Sequence, residues 1–269
     1  MELDVKYPRS GRIPGTACSK DQRFSHFSFI PSHPSGRVAV LVHGSDRAAE
    51  SLRELFLDWA ETTGTTLLAP LFPAGIGNPA DGDNYKSLEY EGIRFDRVLI
   101  DMLDDLAGWV ELEFDPEVLL FGFSGGAQFA HRFFLVHPQR VLAVSIGAPG
   151  NVTLLDRARD WWVGIGNAST VFGHDIDLES LAAVSVQTVI GGNDDGRDVI
   201  AVTPEQSRWM PGANDAGVTR GDRIASLQNN YRRAGMDVKE VVIDSVSHQL
   251  APMVTHVQGF FDSVLQRTT

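Results

Sequence analysis

The stretch LLFGFSGGAQFAHRF, residues 119–133, constrains the fold of this chain more than any other. It runs from an apolar segment straight through a knot of glycines into a helix-forming segment. Ser124 stands between Gly122 and Gly126, where a buried chain calls for an apolar side chain. A strand that turns directly into a helix strains the residue at its tip and crowds the positions around it. Glycines two before and two after relieve that crowding. Gly122-Phe123-Ser124-Gly125-Gly126 therefore fits G-x-S-x-G in the one context that gives the string meaning. A serine that only caps the following helix is the alternative, but a cap does not need three surrounding glycines.

Such a turn places Ser124 Oγ at the carboxyl end of a parallel sheet, where ligands bind in these folds. The helix opening at Gly125 aims free N–H groups and the positive end of its dipole at a developing oxyanion.

The rest of the chain supplies that sheet. FSFI (27–30), VAVLV (38–42), TLLA (66–69, stopped by Pro70), EVLLF (117–121), VLAVSI (141–146), VQTVI (186–190) and EVVI (240–243) read as strands. Helical spacing links Leu52, Leu55, Phe56 and Trp59, and again Phe95, Leu99, Leu103, Leu106 and Val110. Further helices are expected at 126–137, near 219–235, and through Val254, Val257, Phe261, Val264 and Leu265. Apolar strands without clean alternation, separated by helices, imply a mostly parallel sheet covered on both faces. Residues 147–183 break the rhythm and read as a small cap inserted within one domain spanning 1–269, an ordinary surface excursion being the competing reading.

A serine hydroxyl needs a base, and the base needs an orienting group. In VVIDSVSHQL, His248 follows the strand EVVI by five residues and precedes the last helix. His131, His137 and His256 lie within helices and read as structural. In TVIGGNDDGRD the strand ends at Ile190, two glycines turn the chain, and Asp194 follows; Asp195 is held in reserve as the acid. In VLVHGSDR, Gly44 lets the backbone curl so that the N–H of Ser45 joins that of Gly125 as an oxyanion donor, with His43 as a structural tie. Phe123, Asn84, Tyr85 and Trp162 are candidate substrate-lining residues; Trp161 and Trp162, being adjacent, cannot share a helix face.

The order Ser124, Asp194, His248, each at an expected strand end, resembles the α/β-hydrolase superfamily over nearly the whole chain. Within it, FGFSGGAQFAHRF, GAPG and VIGGNDDG are most similar to small esterases of the dienelactone-hydrolase-like and polyhydroxybutyrate-depolymerase-like kinds. That resemblance implies an eight-stranded, mostly parallel sheet and hydrolysis through an acyl-enzyme. The chain departs from many lipases in its oxyanion loop, His-Gly-Ser-Asp, which lacks a glycine triplet.

Composition narrows the partners. The net charge of −12 argues against nucleic acid and anionic membranes, which need clustered cations. One cysteine, Cys18, allows neither an internal disulfide nor a thiolate metal site. No run approaches a membrane span, and the first twenty residues hold no apolar leader, so a cytoplasmic location is the expectation. DGDN (81–84) lacks the Gly and Glu of a calcium loop, and neither a phosphate loop nor a dinucleotide fingerprint occurs, so no cofactor and no metal is expected. A serine carboxylesterase acting on a small-molecule ester follows. The same machinery would serve an amidase, thioesterase or lactonase, and a non-catalytic ligand receptor could keep the fold. The oligomeric state is left open.

Overall fold

In the computed structural model, residues 10–79 and 81–268 are described. Residues 1–9, read above for a leader, and Ala80 of the 72–90 loop lie outside them. The strands are β1 (Gly11–Ala17), β2 (Ser25–Ile30), β3 (Val38–Val42), β4 (Thr66–Leu71), the two-residue pair β5 (Glu89–Tyr90) and β6 (Ile93–Arg94), β7 (Val118–Phe123), β8 (Val141–Gly147), β9 (Ser185–Gly191) and β10 (Val238–Ile243). The helices are α1 (Ala49–Glu54), α2 (Leu57–Thr63), α3 (Phe95–Val110), α4 (Gly125–Val136), α5 (Ala168–Phe172), α6 (Leu178–Ala182), α7 (Arg197–Ile200), α8 (Arg220–Arg233) and α9 (Ala251–Thr268).

Eight strands form one sheet in the order β1-β2-β4-β3-β7-β8-β9-β10. From β4 to β10 neighbouring strands are parallel, while β2 runs antiparallel to both β1 and β4. Alternate residues of each central strand enter opposite layers of the core. Val40 and Leu120 pack with Phe95, Leu99 and Phe133 of α3 and α4. Leu41 and Phe121 pack with Leu52, Trp59 and Phe261 of α1, α2 and α9. Both faces are therefore covered, as the unbroken apolar strands require. Trp59 Nε1 donates to Asp262 Oδ1 at 2.7 Å, tying α2 to α9.

The structure corrects two local expectations and adds an edge strand. The helix through 52–59 is broken into α1 and α2, which leaves Leu55 42% exposed while Leu52, Phe56 and Trp59 stay in the core. The buried Arg53 fixes α1 over the sheet, donating to the carbonyls of Ile13 and Ser28. Pro70 does not stop β4 but lies within it, opposite His26 and beyond Leu68, the last residue of β4 paired with β3. The edge strand β1 is unannounced by hydropathy, because it carries Pro14 and shifts register between Ile13 and Thr16.

One buried ion group anchors α3. Asp96, fully buried, accepts from Arg94 Nη2 and His137 Nε2, each at 2.7 Å. Burial works against its charge, but the hydrogen bonds from His137 and Arg94 outweigh burial and hold its pKa down at about 2, from an ordinary 3.8. A lowered folded-state value contributes stability above pH ~4, lost as pH falls towards ~2. Asp96→Asn should cost about 3 kcal/mol at pH 7, with the gap to wild type narrowing below pH 4 in urea titrations. A gap that stays constant across that range would show that the carboxylate charge is not what stabilises the group.

Candidate active site

Strand β7 ends at Phe123 and α4 starts at Gly125, so the turn consists of Ser124 alone. Its backbone sits at φ 56°, ψ −112°, outside the regions a serine ordinarily adopts. Ser124 N donates to Gly147 O on β8 at 2.8 Å, which holds the tip in place. A Cβ on Gly126 would lie 2.1 Å from Val42 O, and one on Gly122 would lie 2.1 Å from Gly126 O. Both glycines are thus required by backbone packed on backbone.

The acid and the base arrive on neighbouring loops. Gly191 closes β9, and a Cβ there would fall 2.3 Å from Val246 O, so this glycine lets the loop after β10 come close. Asn193 N donates to Val246 O at 2.8 Å and joins the two loops. His248 then reaches both partners: Nδ1 lies 2.6 Å from Asp194 Oδ2, and Nε2 lies 2.9 Å from Ser124 Oγ. A carboxylate only accepts, so Nδ1 carries the proton and Nε2 is free to accept from the serine hydroxyl. Phe123 stacks on the imidazole, with ring centroids 4.7 Å apart and an interplanar angle of 26°.

Asp194 and Asp195 part company. The Asp194 side chain is 1% exposed, and its second oxygen accepts from Arg220 Nη1 at 2.8 Å. Burial pushes this carboxyl upward, but the hydrogen bond from His248 and the charges of His248 and Arg220 outweigh burial and hold it below the usual aspartate value. Asp195 turns outward and pairs with Arg197 at 3.0 Å. The structure therefore brings Asp194, not the reserve, to His248.

The loop after β3 lies against the start of α4. Buried His43 donates from Nδ1 to Gly44 O at 2.7 Å and accepts at Nε2 from Phe72 N at 3.0 Å. Burial lowers its pKa to about 4, so the ring is neutral and acts as a tie. The Ser45 side chain approaches Gly125, with Oγ 3.0 Å from where a Cβ on that glycine would stand. Among the described residues, neither the N–H of Ser45 nor that of Gly125 has a hydrogen-bond partner.

Three of the expected lining residues are corrected. Asn84 and Tyr85 are buried in a single 3₁₀ turn, Asn84 Nδ2 donating to Pro73 O and Tyr85 OH to His43 O at 3.0 Å. Trp162 is buried too, with Nε1 bonded to Arg208 O and the Arg132 guanidinium 5.0 Å from its ring. Large aromatic bodies with one polar tip satisfy that tip inside the protein, as Tyr85 and Trp162 do here. Phe123 alone of the four is partly exposed. Nothing in the sequence singles out Arg220, which lies at a helix start, where a cation carries no periodic signal.

No family model matches the sequence, and no curated protein matches it by sequence. Solved structures do match its fold. A poly(3-hydroxybutyrate) depolymerase from Bordetella parapertussis is 20% identical with a TM-score of 0.72, covering 94% of this chain and 91% of its own. A poly(aspartic acid) hydrolase from Sphingomonas sp. KT-1 is 18% identical with a TM-score of 0.70, covering 88% of this chain and 92% of its own. A carboxylesterase from Mesorhizobium loti is 16% identical with a TM-score of 0.57, covering 93% of this chain and 99% of its own. The chain has the α/β-hydrolase fold. No helix among the described residues is long and apolar enough to cross a membrane.

Proposed function

We propose that this chain is a serine hydrolase that cleaves a carboxylic ester through an acyl-enzyme. One observation carries the reading: a single imidazole spans Ser124 Oγ at 2.9 Å and Asp194 Oδ2 at 2.6 Å. In the first step His248 Nε2 takes the Ser124 proton as Oγ attacks the carbonyl carbon. The carbonyl π pair moves onto oxygen, where the N–H groups of Ser45 and Gly125 receive it. Asp194 holds the imidazolium that forms. Collapse of the tetrahedral intermediate expels the alkoxide, which takes the proton from His248. Water repeats the sequence on the acyl-enzyme, with His248 as base, and releases the acid.

Residues 147–183 serve in this reading as a cap within a single domain. They include a tight loop in which Leu154 N bonds to Val163 O, and Trp161 Nε1 anchors them to Ser87 O at 2.7 Å. The lone Cys18 suits a reducing, cytoplasmic setting. An amidase, thioesterase or lactonase would use the same groups, and the leaving group decides among them.

A fluorophosphonate probe tests the assignment directly. It should phosphonylate Ser124, read by peptide mass, and modification should stop ester turnover stoichiometrically. Intact protein after long exposure would favour a ligand receptor over an enzyme.

A further inference from the structure

Beside the oxyanion donors lies a patch of positive charge, although the chain as a whole carries −12. Lys86 is 7% exposed, and its Cε lies 2.8 Å from where a Cβ on Gly125 would stand. Its ammonium pairs with Asp83, and Arg208 Nε approaches the other oxygen of that carboxylate at 3.1 Å. Arg47 stands on the same loop as Ser45, donating to Ser45 O at 2.7 Å and to Gly82 O at 2.6 Å. Arg132, 1% exposed, lies behind Lys86 and donates to Lys86 O at 2.6 Å. Its Nη2 has no partner among the described residues.

Lys86 and Arg208 therefore share one carboxylate, that of Asp83, while among the described residues Arg47 and Arg132 pair with no acid. Buried or half-buried cations left uncompensated are costly, and the Arg132 pKa is lowered to about 9 by burial first and the charge of Arg208 second. Hydrogen bonds to carbonyls orient these groups but do not neutralise them. An anion would. The leaving oxygen must face His248, which returns its proton. The oxyanion faces the N–H groups of Ser45 and Gly125, so the acyl chain is the substituent left to meet the cations.

Resting on the reading of Ser124 as nucleophile, we infer that the preferred substrate is an ester whose acyl chain ends in a carboxylate, bound by Lys86 and Arg208 with Arg47 and Arg132 adding to the positive field. Arg208, with its side chain 17% exposed, is the member an incoming anion can reach.

The test compares mono-p-nitrophenyl succinate, glutarate and adipate with the neutral p-nitrophenyl butyrate, valerate and hexanoate. In the wild type, kcat/KM for the best anionic ester should exceed that of its neutral counterpart by about tenfold or more, and the ratio should shrink as salt rises. In Arg208→Gln the ratio should fall by about tenfold, mostly through KM, while Arg208→Lys should retain part of it. Free glutarate, unlike pentane-1,5-diol, should raise the melting temperature of the wild type and inhibit competitively. That readout holds even where the Arg208 variant does not fold. Neutral esters preferred at every chain length, or an unchanged ratio in a folded Arg208→Gln, overturns the inference while leaving the nucleophile in place. Failure of all six esters together with failure of fluorophosphonate labelling instead overturns the reading of Ser124 on which it rests.

Discussion

Replacing Ser124 with alanine should lower ester turnover by about a millionfold in kcat while moving the melting temperature by less than about 2 °C. The two halves of that expectation have separate causes. Without Oγ no acyl-enzyme can form, and the residual rate is what the two N–H donors contribute by stabilising attack of water on a bound ester. The fold loses only one partly exposed hydroxyl, because the strained tip is held by backbone: Ser124 N on Gly147 O, and glycines pressed against Val42 and Gly126 carbonyls. Alanine keeps the same backbone demand. p-Nitrophenyl butyrate hydrolysis alongside a thermal melt makes the measurement, and retained turnover in the folded variant would remove the nucleophile from the proposal.

Asp194→Asn and Asp195→Asn should differ by about four orders of magnitude, although the two residues are adjacent. Asparagine at 194 offers an amide N–H where His248 Nδ1–H now donates, so the ring rotates or takes the wrong tautomer, and kcat should fall by about 10⁴. It also deprives Arg220 of its carboxylate at 2.8 Å, with the two side chains 7% and 1% exposed, so a loss of about 3 kcal/mol in stability should accompany the loss of rate. Asp195 makes its ion pair at the surface, with Arg197, and such pairs contribute at most about 1 kcal/mol. Its asparagine variant should keep turnover within about threefold of wild type. Equal losses in both variants would mean that the turn, not the carboxylate, is what matters.

The residues that could be read in advance are those whose role is enforced by backbone. Gly122, Gly126 and Gly191 each sit where a carbonyl from another part of the chain occupies the space of a Cβ, and a glycine at a strand end is visible in a string of letters. Ser124, Asp194 and His248 follow such glycines or strand ends, and the apolar strands β3, β7, β8 and β9 declare themselves by composition. Less visible was whatever depends on side chains meeting across the fold. Tyr85 and Trp162 look like pocket aromatics in sequence, yet their polar tips are taken by His43 O and Arg208 O. Arg220 meets Asp194 from 26 residues away, at the first position of α8, where nothing marks it from other surface arginines. The break at Leu55 and the continuation of β4 through Pro70 depend likewise on neighbours: Arg53 on the carbonyls of Ile13 and Ser28, and a pairing with β3 that ends at Leu68.

The contact between the start of α4 and the end of β3 has a consequence for how such a protein can change. Because Gly126 rests on the carbonyls of Val42 and His43, the tip bearing the hydroxyl and the loop carrying Ser45 are packed backbone on backbone. They are inherited or lost together. On the proposed reading the groups that choose a substrate come instead from 83–86 and from the stretch around 208, turns that meet the tip through side chains, Tyr85 OH on His43 O among them. Diversification of this protein's relatives should therefore be written in those two turns, with the chemistry beneath them left as it was.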